Sequence, residues 1–314
     1  MPVVRLLIAA VVTTATAFLA APASAATVGP CFPGGPQCTF WTGKVTLVAD
    51  GDTIDVDIAG DGTSRARRVR MAGYNATELR RYSNYASRRR GECHGVAAAN
   101  RLDQLIGRSR LVRLAAQHES SLGENGRLRR QVSALIGGQW VDVGPTMLAE
   151  GRALAFPASD EWAWNSAYAA YARQAAAAGI GIWNPRGCGP GPRAGVSVGL
   201  KAQYHKYHRD ERKYLNSEWV KIFNPSSKPL SLRGWWVRDS SLLRYHFPKS
   251  AVVRPHGKIK LRIGSGKNRP GRIYHWGLPK PPFNNPSNDR KHIHDGAFLF
   301  DRRGNMRAYQ LWGG

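Results

Sequence analysis

The sequence predicts a mainly β protein with some helix, built as two domains joined by a short linker. In the first half, three predicted strands are followed by a helix, two strands and two helices, an order typical of a small closed OB-type barrel with three helices packed on it. In the second half, short β-forming runs are separated by Asn, Gly and Pro turn signals, which is typical of a β-sandwich. Residues 186–195 between the halves are rich in Gly, Pro and Arg, the composition of a linker.

Periodicity predicts the individual elements. Residues 53–58 alternate apolar and acidic side chains, which predicts a half-buried strand. A helix is expected to begin within 80–91, with Val96 among its apolar positions, and a longer one to run over 160–178 with Ser159 or Asp160 as its cap. Alternation also predicts that one of Trp235 and Trp236 is in the core and the other exposed. The predicted strands of the second domain are 218–223, 234–238, 245–247, 258–263, 298–300 and 308–311.

The first 25 of the 314 residues have the form of a secretory signal peptide. Arg5 precedes an apolar run over 6–21, and Ala23-Ser24-Ala25 is a small-residue cleavage site. A membrane anchor is the less favoured interpretation, because the run is short for a span and a cleavage site follows it. We expect a secreted or cell-surface protein, with a Pro/Gly-rich arm at 26–42 and domains at 43–185 and 196–314.

Four cysteines remain after the expected cleavage, and an even number in an exported chain favours disulfides. We pair Cys31 with Cys38 and Cys93 with Cys188, although the sequence does not fix this connectivity. The rival interpretation is a zinc site at Cys93 and His94. It is disfavoured because adjacent residues are awkward zinc ligands and because the chain has no C-x-x-C pair.

The charge is strongly positive and uneven. The formal net charge is +25, and Lys201 to Gly314 hold 24 Lys and Arg against 7 Asp and Glu. Charge of this size predicts a polyanionic partner: nucleic acid, an anionic cell-wall polymer or an acidic lipid surface.

Three stretches of the first domain carry the residues for chemistry. Asp50-Gly51-Asp52 places two carboxylates around a flexible turn, 69–78 carries Arg70, Asn75 and Glu78, and 124–128 adds Arg127 after a turn signal. Oxygen ligands suit a hard cation, a lone glutamate can take a proton from water, and two arginines can clamp a phosphate. The combination predicts hydrolysis of a phosphodiester.

These stretches resemble the motifs of the thermonuclease (staphylococcal-nuclease-like) family over about 43–185. The resemblance implies an OB-fold and calcium-dependent, sugar-nonspecific cleavage of DNA and RNA. Asp52, Asn75 and the Ala76 carbonyl would bind calcium, Glu78 would be the general base, and Arg70 and Arg127 would clamp the phosphate. The chain departs from the family at Asn75, where the best-known members have Asp, and an amide oxygen brings no negative charge.

The second domain resembles the lamin-tail domain family over about 196–312. The matching residues are 218–224, 230–235, Phe247-Pro248, 264–266 and the final hairpin at 301–305. The resemblance implies an immunoglobulin-like sandwich and no chemistry.

Two other functions stay open. Because of Asn75, the chain could be an exported nucleic-acid- or envelope-binding protein with an impaired nuclease site. Alternatively, the basic domain could dock to cell-wall polymer or membrane while the nuclease works on captured DNA.

Overall fold

A computed structural model describes residues 26–79, 92–184, 198–204, 211–241, 243–283 and 294–313. The predicted signal peptide, the predicted linker, Cys188 and the region 80–91, where a helix was expected to begin, lie outside the described residues. No helix in the described part of the chain is long and apolar enough to cross a membrane.

The first domain contains nine strands and three α-helices among its described residues. The strands are β1 Thr27–Pro30, β2 Gln37–Val48, β3 Thr53–Ile58, β4 Arg67–Met71, β5 Tyr74–Ala76, β6 Leu111–Ala116, β7 Leu128–Ile136, β8 Gln139–Asp142 and β9 Ala153–Ala155. The helices are α1 Gly95–Ile106, α2 Val143–Ala149 and α3 Asn165–Ala177, with short 3-10 helices at Glu124–Gly126, Trp162–Trp164 and Gly181–Trp183.

Five strands close into a barrel, as the sequence predicts. The order is β2-β3-β4-β7-β6, and β6 pairs back with β2. Strand β2 can belong to both edges because it is long: its Gly43–Val48 part pairs with β3 and its Thr39–Lys44 part with β6. A Cβ at Gly43 would lie 2.6 Å from both Val56 Cγ1 and the Asp57 carbonyl oxygen, so glycine permits the bend where the two pairings meet.

The helices cover the barrel, but two sequence-based details are wrong. Val96, expected on the apolar face of α1, is 66% exposed, while Ala98, Leu102 and Ile106 are the side chains that reach the core. The third helix begins at Asn165, and Asp160 instead forms an ion pair with Arg129. The Asp160 carboxylate, which the sequence pattern assigned to the cap of this helix, therefore pairs with Arg129 on β7.

The region predicted as an arm contributes β1 to the sheet. Strand β1 pairs with residues 37–40 of β2, and the predicted disulfide between Cys31 and Cys38 is confirmed, with an S–S distance of 2.05 Å. Cys93 is also disulfide-bonded, which leaves it no thiolate for zinc. Its expected partner, Cys188, lies outside the described residues.

The second domain is the β-sandwich that the sequence predicts. Its described strands are β10 Gly199–Gln203, β11 Trp219–Phe223, β12 Leu230–Ser231, β13 Trp236–Arg238, β14 Arg244–His246, β15 Val252–Val253, β16 Lys258–Arg262, β17 Ile273–His275, β18 His294–Phe300 and β19 Met306–Gly313, with a 3-10 helix at Glu211–Ser217. The sheets β10-β11-β16-β17 and β14-β13-β18-β19 share one core, in which Val220 and Leu261 of the first pack with Val237 and Leu299 of the second.

The prediction for the adjacent tryptophans is wrong, because both are buried. Trp235 is 9% exposed and belongs to the core of the sandwich. Trp236 is 5% exposed and belongs to a second apolar cluster that includes Leu154 and Trp183 of the barrel domain. The two rings do belong to different clusters, as alternation predicts, but the side on which Trp236 was free to meet solvent is covered by the barrel domain.

Candidate active site

The turn from β2 to β3 brings two carboxylates to the wall of the barrel. The Asp50 carboxylate accepts a hydrogen bond from the Asp52 amide (Oδ1–N 3.1 Å) and holds the turn. A Cβ at Gly51 would lie 2.7 Å from the Cβ atoms of Ala76 and Ala98, so glycine lets the turn pack closely against β5 and α1. Asp52 is buried there, with 1% of its surface exposed.

Arg70 connects two of the predicted site residues. It lies on β4 opposite Thr53, and its Nη1 donates to Asp52 Oδ1 while its Nη2 donates to Asn75 Oδ1. Burial alone would lower the pKa of the Arg70 guanidinium, but the Asp52 carboxylate raises it above its ordinary value. Arg70 is 7% exposed, so little water screens this ion pair.

Strand β5 carries Asn75 and Ala76 past the Asp52 carboxylate. The Ala76 amide donates to Asp52 Oδ2 at 2.6 Å, so both carboxylate oxygens have partners. The Asn75 side chain, 2% exposed, accepts from Arg70 and donates through Nδ2 to the carbonyl oxygen of Ser240 in the second domain. Asn75 is therefore a contact between the barrel and the tail.

Glu78 follows β5 and is fixed through its backbone. Its amide donates to Glu92 Oε2 (3.1 Å), and its carbonyl oxygen accepts from the Glu92 amide (2.9 Å). Burial raises the pKa of the Glu78 carboxyl, Glu92 adds to this shift, and Arg70 opposes it. The charges of Glu78 and Arg70 thus influence each other.

The turn that carries Arg127 lies beside Arg70. Strands β4 and β7 are parallel neighbours, with Val69 opposite Leu128, so the residue before Leu128 lies at the start of this pairing. A Cβ at Gly123, whose amide donates to the Arg127 carbonyl oxygen (2.8 Å), would lie 3.6 Å from Arg70 Cβ. The Arg127 side chain is half-buried.

The donor chemistry of this site fits calcium in part. Asp52 Oδ1 and Asn75 Oδ1 are the kind of oxygen atom that a hard cation binds, but each of them accepts a hydrogen bond from the Arg70 guanidinium. Within the described ranges, no group of three or more His, Cys, Asp or Glu side chains is placed to hold a metal ion. A calcium site here would therefore depend on one carboxylate, an amide and backbone oxygens.

Sequence reasoning missed the contribution of the second domain. Glu92 is buried and forms ion pairs with Arg238 (2.8 Å) and Arg244 (2.7 Å), both from the sandwich. With the Ser240 carbonyl on Asn75, these contacts place the segment from β13 to β14 against the candidate site. The one available signal was Glu92 itself, a single carboxylate directly after the Arg-rich run 80–90.

Fold and site together define a two-domain protein: a five-stranded OB-like barrel with three helices, and an immunoglobulin-like sandwich that contacts its candidate site. Residues 202–311 match the family model described as Lamin Tail Domain, so the C-terminal part of the chain is a lamin tail domain. The family models leave the barrel unassigned. No curated protein matches the chain.

Proposed function

We propose that the barrel is a nuclease that hydrolyses phosphodiester bonds of DNA and RNA, as its resemblance to the thermonuclease family implies. The chain would be exported, and its basic tail would bind nucleic acid or another polyanion. The observation that supports the proposal is the buried contact of Arg70 with both Asp52 and Asn75. The Glu78 carboxylate is also among the charges that raise the pKa of Arg70.

Each side chain would have a separate role. Arg70 presents two donors and can exchange the oxygens of Asp52 and Asn75 for those of a phosphate. Arg127, on the neighbouring turn, would add a second positive charge where negative charge develops in the transition state. The raised pKa of Glu78 makes its carboxylate a stronger base than an ordinary glutamate, which suits it to take a proton from water.

Calcium, held by Asp52, the Asn75 amide oxygen and the Ala76 carbonyl oxygen, would supply positive charge that polarises a phosphate oxygen. The residues themselves must first rearrange, because Arg70 engages both side-chain oxygens. Substrate entry also requires the Ser240 segment to move away from Asn75, since Asp52, Arg70 and Asn75 are all buried.

The same contacts favour one alternative, an exported nucleic-acid- or envelope-binding protein with an impaired nuclease site. In that case Arg70 would be a structural cation that replaces the metal, and Asn75 would serve to hold the tail. The two functions differ in a single measurable property, which is calcium-dependent hydrolysis.

The test is plasmid and RNA degradation by the full chain, with calcium and with a chelator. We expect calcium-dependent cleavage that falls by about 10²–10³-fold in Glu78→Gln and in Arg127→Ala, the usual effect of removing one preorganised group. Arg108→Ala removes an exposed arginine from the turn after α1 and is the matched control for lost charge. Full activity in either site variant would refute the assignment, and an inactive wild-type chain that still binds DNA would establish the alternative.

A further inference from the structure

One face of the sheet β10-β11-β16-β17 is basic and points away from the core. Residues alternate strictly along these strands: Ala202, Val220, Ile222 and Leu261 are buried, and their neighbours are exposed or half-exposed. The outward basic side chains are Lys201, Lys221, Lys258, Lys260 and Arg262. None of these four described strands contains an acidic residue, so the positive charge is not balanced within the sheet.

Strand register sets three of the lysines in a row. Lys201 lies opposite Lys221, and Lys221 lies opposite Lys260. Two strand spacings make this row about 10 Å long. Burial lowers the pKa of Lys260, and the neighbouring charges of Arg262 and Lys221 lower it further, which is what crowded like charges do. An anion on this row would relieve that repulsion.

Two aromatic rings share the face with these cations. Trp219 is half-exposed, and the ammonium groups of Lys221 and Lys260 lie 4.7 and 4.9 Å from its ring centroid. Phe223, at the other end of β11, is 39% exposed and lies over Gly199, where a Cβ would clash with its ring. Four residues of strand separate the two rings by about 13 Å.

We propose that this face binds single-stranded nucleic acid, with a base stacked on Trp219 and backbone phosphates on Lys201, Lys221 and Lys260. A flat sheet with exposed aromatic side chains is a known type of platform for unpaired bases, because every base offers a π-face. The lysines that cover Trp219 have long, flexible stems and can turn from the ring to a phosphate. A second base can reach Phe223.

Single strands fit this surface better than the other polyanions. Duplex DNA hides its base faces, and an anionic polymer without rings has nothing to stack on Trp219. An acidic lipid surface would use the lysines but would not require an aromatic ring between them. The proposal rests on the part of the proposed function that gives the tail a polyanionic partner, and it is independent of hydrolysis in the barrel.

The experiment measures binding of a fluorescently labelled oligo-dT to the full chain by anisotropy, with chelator present so that no cleavage occurs. Trp219→Ala should weaken binding by about tenfold, and Trp219→Phe should restore most of it, because a ring remains for stacking. Lys221→Ala with Lys260→Ala should lower the slope of log K against log salt by about 1.4, since each phosphate contact contributes about 0.7 on single strands.

The matched control is Arg233→Ala with Lys249→Ala, which removes two exposed charges from turns outside this sheet. It should change affinity by less than the Lys221/Lys260 pair. Unchanged oligo-dT affinity in Trp219→Ala would overturn the proposal. So would stronger binding, with the same lysine dependence, to a duplex, to inorganic polyphosphate or to anionic lipid vesicles. Loss of hydrolysis with intact oligo-dT binding would refute the nuclease and leave this inference standing.

Discussion

Glu92 lies at the point where the barrel, the candidate base and the tail meet. Its carboxylate accepts hydrogen bonds from Arg238 Nη1 (2.8 and 2.9 Å), Arg244 Nη2 (2.7 Å) and the Glu78 amide (3.1 Å). Burial alone would raise the pKa of Glu92, but Arg238 and Arg244 hold it below its ordinary value. Because Arg238 is fully buried, removal of Glu92 would leave a guanidinium without its counter-charge.

We therefore expect Glu92→Ala to lower the free energy of unfolding by about 3–5 kcal/mol, the usual cost of breaking a buried ion pair. The measurement is thermal and urea unfolding at neutral pH. The control is Arg68→Ala, which breaks the ion pair with Asp55 on β3 and β4, where Arg68 is 45% exposed. That change should cost at most about 1 kcal/mol. Equal losses in the two variants would mean that the Glu92 cluster contributes no more than a surface pair.

At the scale of one element, the connection from β13 to β14 is the part of the tail that covers the candidate site. Asp239 shapes it: Oδ1 accepts from the amides of Ser241 and Leu243, both at 2.9 Å. Burial, with the nearby Asp295, raises the pKa of Asp239 to about 7. Its neighbour Ser240 supplies the carbonyl oxygen that accepts from Asn75. A titrating carboxyl thus lies one residue from the contact between domains.

This shift predicts a pH dependence of stability. The native pKa of Asp239 lies above its unfolded value of 3.8, so between pH 3.8 and about 7 the native state binds more protons. The contribution of Asp239 to stability therefore falls as pH rises through this range. Asp239→Asn keeps an Oδ1 acceptor for both amides and removes the titration, so its melting temperature should fall less between pH 5 and pH 8 than that of the wild type.

Glu161 also has a pKa raised by burial, to about 7, and it remains in both proteins. The difference between the two proteins therefore reports Asp239 together with its interacting neighbour Asp295. Parallel melting-temperature curves for the wild type and Asp239→Asn would contradict the assignment.

The sequence anticipated what is local. Asp52 and Arg70 are brought together because short motifs on neighbouring strands meet where those strands pair, and Thr53 does pair with Arg70. Asn75 follows Arg70 by five residues, across the short connection from β4 to β5. The disulfide joins Cys31 and Cys38, which are seven positions apart in the sequence, and it follows from the same short-range geometry.

Features that depend on the contact between the two domains were not predictable from local sequence patterns. The burial of Trp236 and the pairing of Glu92 with Arg238 join positions that periodicity treats separately. Alternation reports which direction a side chain takes, and it carries no information on what covers that face. Trp219 is a further example. The sequence alone did not single it out as a residue that stacks on a base, and it became a candidate only when the sheet register placed lysines around it.

At the scale of the whole molecule, the two domains share an apolar interface. Trp183, at the end of the barrel domain, packs against Phe298 (6.1 Å between ring centroids) and Tyr309 (4.9 Å) of the sandwich. Leu154 and Trp236 belong to the same buried cluster. The Cys93 amide adds a hydrogen bond to the Gly304 carbonyl oxygen (2.9 Å). An interface with several buried aromatic rings holds domains together more firmly than a flexible linker does.

The barrel and the tail should therefore unfold in a single calorimetric transition. Trp183→Ala would remove a ring that is 4% exposed, and large-to-small changes of buried tryptophan typically cost about 3–5 kcal/mol. Because that loss falls on the contact between domains, the transition should both move to lower temperature and separate into two. Tyr171→Ala, which truncates an exposed aromatic side chain on α3, should leave one transition close to the wild-type temperature. Two transitions in the wild type would show that the interface does not couple the unfolding of the two domains. The contacts of Asn75 and Glu92 with the tail could then break while the barrel stays folded.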